Sequence, residues 1–286
     1  MQKILIFGAH GMLGHVAARY LAETGAYRVM KCVRSAHAAD EISADVTDSG
    51  RVREILELQR PDIVLNCVGM LIKACADDPA LAIMVNSYFP QFLAKCGRDL
   101  DYKLVHVSTD CVFSGKKGSY TDTDFRDGDT VYARTKALGE IIDERNLTIR
   151  TSIVGPELKD NGTGLFHWFM RQHGEIKGYR LAFWSGVTTL ELSKFIHAAI
   201  RNKLTGLYQL SMPEKISKYE LLKLFQEIWR KDDVTVTPYD DYFCDKSMVG
   251  SVRSGFKYTL PADYRNMLTE MKNYMDAADT RHGTLS

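Results

Sequence analysis

Hydrophobic and polar positions follow two rhythms through the first half of the chain, and each rhythm predicts a different element. Lys3 to Phe7 is a short apolar run ended by Gly8, the pattern of a strand buried on both faces. Met12 to Thr24 carries its apolar residues at helical spacing, with Gly25 placed to close the helix. Tyr27 to Val33 reads as a strand, Val52 to Leu58 as a helix halted before Pro61, and Asp62 to Asn66 as a strand again. Pro79 to Cys96 predicts a long helix that starts on proline. Lys103 to Val107, Tyr132 to Arg145 and Leu147 to Arg150 continue the series as strand, helix and strand. Repeated strand–helix units of this length require right-handed crossovers, and hence an α/β fold with a doubly wound parallel sheet.

The second half is less regular. Residues 151–183 are rich in glycine and aromatics and read as loops with one helix, Leu165 to Gln172. Within it, Phe166, Trp168 and Phe169 are expected to be core. Thr188 to Arg201 predicts an amphipathic helix and Gly206 to Leu210 a strand. Ser217 to Trp229 predicts a helix with a capping box closed by Glu220, and Pro261 to Met275 a last helix before a frayed tail from Asp276. The expected organisation is a dinucleotide-binding domain of residues 1–152 plus about 186–212. A small C-terminal lobe of about 153–185 plus 213–286 would bind substrate.

Composition narrows the classes of function. Apolar residues make up 45% of the 286 and charged ones 26%, the balance of an ordinary globular protein. A net charge of +1 gives no field to draw in nucleic acid or an anionic membrane. No apolar stretch approaches the ~20 residues that span a bilayer, and Met1 leads within three residues into a strand rather than a leader peptide. Six scattered cysteines, with no C-x-x-C pair and no zinc spacing, suit a reducing compartment, so the expected location is cytoplasmic. No metal site is expected.

Gly8-Ala9-His10-Gly11-Met12-Leu13-Gly14 follows a strand and opens a helix, the context in which a glycine loop holds a pyrophosphate. Glycine permits the tight turn and the close backbone approach, and the helix N-terminus faces the charge. His10 would touch the cofactor through its backbone. The second strand ends in Lys31-Cys32-Val33-Arg34, with no acid for a ribose 2′-hydroxyl. Arg34 is then either a partner for a 2′-phosphate, which favours NADP(H) while NAD(H) remains an option, or a solvated surface arginine. Asp45 and Val46 would border the adenine, although an aspartate that begins a turn explains Asp45 as well.

Ser108-Thr109-Asp110-Cys111 follows a strand, and Tyr132-Ala133-Arg134-Thr135-Lys136 opens a helix. The i and i+4 positions share one helix face, so a phenol and an ammonium point into one cleft. The ammonium is expected to lower the pKa of Tyr132 and make it a proton donor or acceptor near neutrality. Thr109, at the C-terminal edge of the sheet, is suited to orienting a carbonyl oxygen.

Together these stretches resemble an extended short-chain dehydrogenase/reductase with a Rossmann domain. They are most similar to the dTDP-4-dehydrorhamnose reductase family through ILIFGAHGMLG, DVTD, RPDIVLNCVG, VHVSTDCVFSG, YARTKALGE, IRTSIVGPE and GVTTLELSKFI, residues 3 to about 210. The resemblance implies NADPH-dependent reduction of a nucleotide-linked 4-keto-6-deoxy sugar at C4. It implies Tyr132 as proton donor, Lys136 on the nicotinamide ribose, Thr109 on the carbonyl, Cys67-Val68-Gly69 along the cofactor and Ile153 near the nicotinamide. A homodimer through the exposed faces of the Pro79 and Tyr132 helices is also implied.

The family usually places tyrosine where this chain has Cys111. Related GDP-fucose synthases use a cysteine there for proton transfer, so Cys111 is either an epimerising group or a small buried filler. Their partner histidine is replaced by Glu157. The same resemblance reaches a non-catalytic, NADP-binding regulatory subunit of methionine adenosyltransferase. In the substrate lobe, Trp184 is a candidate to stack on a base or sugar, and Arg253 or Arg180 to meet a diphosphate; each is equally an ordinary packing or surface residue.

Overall fold

Four consecutive residues, Ile4 to Phe7, are each fully buried, which a strand achieves only when both faces of its sheet are covered. The computed structural model describes residues 1–159 and 162–282. Its first half runs β1 (Gln2–Phe7), α1 (Gly14–Glu23), β2 (Tyr27–Val33), β3 (Glu41–Ser43), α2 (Ser49–Gln59) and β4 (Ile63–Asn66). It continues with α3 (Ile72–Asp77), α4 (Pro79–Ala82), α5 (Phe89–Leu100), β5 (Lys103–Thr109), α6 (Val131–Leu138) and β6 (Leu147–Thr151). After these come β7 (Ile153–Val154), α7 (Leu165–Met170), β8 (Gly174–Tyr179), β9 (Ala182–Trp184), β10 (Val187–Thr188), α8 (Thr189–Arg201) and β11 (Gly206–Gln209). The chain closes with β12 (Ile216–Ser217), α9 (Lys218–Trp229), β13 (Val234–Tyr239), β14 (Cys244–Asp245) and α10 (Tyr264–His282).

Seven strands form the central sheet in the order β3-β2-β1-β4-β5-β6-β11, and every pair in it is parallel. The order reverses beside β1, so the β1 and β4 ends open a crevice at the C-terminal edge, where ligands of such sheets bind. Two apolar cores flank the sheet. One is built on Leu5, Phe7, Leu56, Phe89 and Leu104, the other on Ile4, Ile6, Leu21, Phe195 and Leu221. The second core runs on into α9 and α10, and α10 packs directly on α8 and α9. Small sheets, β8 with β13 and β12-β9-β14, lie outside the central one. Among the described residues, no helix is long and apolar enough to cross a membrane.

Five expectations need correction. The helix from Tyr132 stops at Leu138 rather than Arg145. A Cβ on Gly139 would stand 2.0 Å from the Asn86 carbonyl oxygen, so the chain approaches its neighbour there more closely than any other residue allows. Glu140 then turns inward to a buried ion pair with Arg150, and Asp143 accepts from the backbone N–H groups of Arg145 and Asn146 to build a turn. The loop reading of 151–183 misses β8 and β9, short strands with little alternation. Trp168 is 38% exposed, whereas Phe166 and Phe169 are core. The expected long helix starts on Pro79 but contains a π-helical turn over Ile83–Tyr88 before continuing to Leu100. The last helix reaches His282, past the point where fraying was expected; positions beyond it lie outside the described residues. The capping box of Ser217 and Glu220 is formed.

Glu140 accepts from Arg150, Arg126 and Ser108, and Arg150 also reaches Gln209 and the face of Phe113. Burial works against ionising Glu140, but Arg150 and the other donors outweigh it and hold the carboxyl below its ordinary range. Glu140→Gln leaves the Arg150 guanidinium buried without its counter-charge, at a cost of about 3–5 kcal/mol. Thermal denaturation should show a clear fall in midpoint; an unchanged midpoint contradicts this role.

Candidate active site

The glycine loop leaves β1 through Gly8, whose φ of +80° is a conformation that L side chains rarely adopt. A Cβ there would also meet Val68 at 3.1 Å, and one on Gly14 would stand 2.0 Å from the Gly8 carbonyl oxygen. The loop is closed by a 2.8 Å bond from the Gly11 N–H to the Gly8 carbonyl. Leu13 is buried in the core, while Met12 packs against Gly164. Gly164 in turn donates its N–H to Glu157 at 2.7 Å.

His10 turns its ring away from the loop, 2.6 Å from Glu41 and stacked on His37. Glu41 also accepts the N–H groups of His37 and Ala38, and these bonds, with His10, hold its carboxyl down to about 2. Arg34 is exposed just past the end of β2, its carbonyl tied to the Ser43 hydroxyl. Asp45 takes up the turn alternative, with one oxygen accepting both the N–H and the hydroxyl of Thr47. Val46 packs on the apolar core below β2.

Cys67, Val68 and Gly69 follow β4 at the same edge. The Cys67 N–H bonds Phe7, and the Val68 N–H bonds the side chain of Asn66. Ile153 is half-buried in β7, paired with β10.

Thr109 ends β5 and is buried; its hydroxyl donates to Asp110 and accepts the Cys111 N–H, each at 3.1 Å. The N-cap of Thr130 starts α6 and places Tyr132 and Lys136 on the turns facing β5. Lys136 is buried and donates to the Val107 carbonyl at 2.8 Å. Burial pulls its pKa down to about 8, opposed by Glu140. The expected lowering of the Tyr132 pKa is not found: burial and the neighbouring Cys111 push it up, while interaction with the Thr109 hydroxyl opposes the shift. The physical reason lies in the lysine, whose ammonium is engaged by the Val107 carbonyl, and in the burial of the phenol itself. The phenol therefore keeps its proton at neutral pH.

Cys111 is half-buried, and burial, followed by Asp110, pushes its thiol up to about 12. Trp184 is only 2% exposed and packs on Tyr264 within the core, so it offers no face to a base or sugar. Arg253 bonds the Leu207 carbonyl and lies 3.5 Å from Asp122, out along the β11 edge. Arg180 is paired with Asp240 on the surface.

Three residues escaped the sequence reading. Asn86, in the π-helical turn, bonds both backbone groups of Met70 and reaches Thr135 at 3.3 Å, stapling the loop after β4 to α6. Lys218, the first residue of α9, and Lys246, just past β14, both project toward Asp110 and Cys111. The capping box gave the start of α9 but not which way Lys218 points, and the chain around Lys246 carries no periodic signal.

A family model described as the RmlD substrate binding domain matches residues 1–245. A dTDP-4-dehydrorhamnose reductase of Aggregatibacter actinomycetemcomitans is 31% identical over 167 residues, 56% of this chain and 54% of that one. A probable low-salt glycan biosynthesis reductase, Agl14, of Haloferax volcanii is 33% identical over 144 residues, 47% and 46% of the two chains. The chain thus spans about half the length of the curated relatives it matches. A solved structure of a hypothetical dTDP-4-dehydrorhamnose reductase from Sulfolobus tokodaii is 25% identical, covers 86% of this chain and 91% of its own, and has a TM-score of 0.75. A dTDP-4-dehydrorhamnose reductase from Bacillus anthracis, solved in complex with NADP, shares the fold at 22% identity and TM-score 0.75, covering 87% and 90%.

A thiol held near 12 has more than about a thousandfold less thiolate at pH 8 than an ordinary cysteine. Mass spectrometry after brief iodoacetamide treatment at pH 8 should therefore leave Cys111 unmodified. Alkylation at the rate of a free peptide thiol contradicts the burial described.

Proposed function

The chain belongs to the RmlD substrate binding domain family, and from that premise we propose that it is an NADPH-dependent reductase of nucleotide-linked sugars. Its reaction is reduction of the 4-keto group of a 6-deoxy sugar, in the synthesis of a glycan. The observation that carries this reading is the convergence of Thr109, Tyr132 and Lys136 at the sheet edge that also holds the glycine loop.

The residues present fit a dinucleotide. Gly8, at a φ of +80°, lets the loop turn tightly against the end of β4, and the adjoining α1 points its N-terminus toward the same edge. Arg34 would meet the 2′-phosphate, because Glu41, the acid of the neighbouring strand, is already taken by His10, His37 and Ala38. That favours NADP(H) over NAD(H). Cys67 to Gly69 and Ile153 would line the cofactor, and Lys136 would leave Val107 for the nicotinamide ribose. Bound there, NADPH supplies hydride to the carbonyl carbon.

The protein's own part is to hold the ketone and deliver a proton. Thr109 turns its hydroxyl to the substrate oxygen, giving up its 3.1 Å bond to the Asp110 carboxylate. Tyr132, kept protonated by burial, gives its proton to that oxygen as negative charge develops. Lys136, still largely charged at pH 7, favours the phenolate left behind. Cys111 has no proton to abstract in this scheme, since its thiol is held protonated. The described residues within 153–185 and 213–282 supply the substrate-facing lobe. Free thiols throughout suit the cytoplasm. Leu81, Ile83, Met84, Tyr88, Leu138 and Ile142 expose apolar surface around α4 and α6, where a second copy of the chain would pack.

NADPH oxidation followed by absorbance, with a panel of dTDP-, UDP- and GDP-linked 4-keto-6-deoxy sugars, tests the reading. Turnover is expected with one nucleotide class, and Tyr132→Phe should lower it by roughly 10²–10⁴-fold. Full activity in that variant, or no turnover across the panel, overturns the proposal. Light scattering on the same preparation should give the mass of a dimer; a monomer mass removes that part.

A further inference from the structure

The segment between β2 and β3 carries Arg34, yet no apolar contact of its own holds it in place. All seven of its residues, Arg34-Ser35-Ala36-His37-Ala38-Ala39-Asp40, are exposed, so no buried side chain anchors it. A segment of this kind samples many backbone states, and a ligand that must order it binds the more weakly.

What orders the segment is Glu41, the first residue of β3, whose side chain is only 6% exposed. One carboxylate oxygen accepts the N–H groups of His37 and Ala38, at 2.8 and 3.2 Å, from inside the segment. The other lies 2.6 Å from Nε2 of His10, on the glycine loop. An ionised carboxylate only accepts, so that nitrogen carries the hydrogen. Glu41 thus divides its two oxygens between two loops. Its own N–H returns to the Ala38 carbonyl at 3.1 Å, and the His10 and His37 rings lie parallel with centroids 6.1 Å apart. At the ends of the segment, Lys31 pairs with Asp40 at 2.9 Å and the Ser43 hydroxyl donates to the Arg34 carbonyl at 2.9 Å. The two loops already adjoin, because the Gly8 and Ala9 N–H groups both bond the Cys32 carbonyl near the end of β2. Arg34 stands outside this circuit except through its carbonyl.

We propose that Glu41 and His10 are positioning residues that clasp the Arg34 segment to the glycine loop, and that this clasp, acting through Arg34, sets the preference for an adenosine nucleotide bearing a 2′-phosphate. The proposal rests on the reductase reading only for the place of the adenosine. Neither side chain has to touch the ligand. Cutting the bond at either end releases the same segment, so the two cuts have one effect and do not add. His10 also offsets the charge of Glu41, which would otherwise repel a phosphate brought to Arg34.

Two measurements on the full chain test this. Hydrogen–deuterium exchange without nucleotide reads the clasp itself. The peptide covering residues 34–41 should exchange faster by roughly fivefold or more in Glu41→Ala and in His10→Ala, with peptides of the central sheet unchanged, which also reports that the variants fold. Calorimetric titration with adenosine 2′,5′-bisphosphate and adenosine 5′-monophosphate, which differ only in the 2′-phosphate, reads the preference. The wild-type chain should favour the bisphosphate by roughly tenfold or more, and each alanine variant should cut that ratio by roughly fivefold. The double variant should cut it no further, and His10→Gln, which keeps a donor for Glu41, should recover most of it. Unchanged exchange of 34–41 in both variants overturns the proposal. So does a wild-type chain with no preference, a ratio that survives both variants, or losses that add in the double variant. A chain that shows the clasp and the preference yet reduces no ketosugar defeats the reductase reading alone. One that reduces a ketosugar while its exchange ignores both substitutions defeats the clasp alone.

Discussion

The structure depends on one buried carboxylate. Glu140 sits immediately after the helix that carries Tyr132 and Lys136, and it gathers Arg150 from β6, Ser108 from β5 and Arg126 from the intervening loop. Ser108 is the residue before Thr109, so the same carboxylate that ends α6 also fixes the strand end opposite it. Such a network adds little net stability compared with an apolar filling, because desolvating its charges offsets most of their attraction. Its effect is to set one orientation between a helix and a strand. Gly139 and Asn86 complete the constraint from the other side, where the chain passes too close for any side chain.

With that junction fixed, the cleft chemistry follows from where water is absent. Burial raises the phenol of Tyr132 and the thiol of Cys111 and lowers the ammonium of Lys136, so all three drift toward their neutral forms. A neutral phenol suits a proton donor in the direction of reduction. A neutral thiol does not suit a base.

Much of the fold was legible because buried parallel strands are nearly all apolar and are cut by glycine or proline. Lys3 to Phe7, Asp62 to Asn66 and Lys103 to Val107 carried that pattern to within two residues of the strands formed. The glycine loop and the Tyr132–Lys136 pair were legible because their spacing is local. What failed was long-range. Nothing near Gly139 in sequence announces the carbonyl of Asn86, and nothing near Trp184 announces that Tyr264 covers it. Lys218 and Lys246 were invisible for the same reason, since their meeting with Cys111 is made by tertiary packing of short, weakly patterned strands.

Fluorescence titration with NADPH and NADH, on the wild-type chain and on Arg34→Ala, tests the central claim most directly: that this sheet edge is a nicotinamide dinucleotide site with a place for the 2′-phosphate. The account predicts saturable NADPH binding, weaker NADH binding, and loss of that preference in the variant. Failure of the wild-type chain to bind either nucleotide would contradict it.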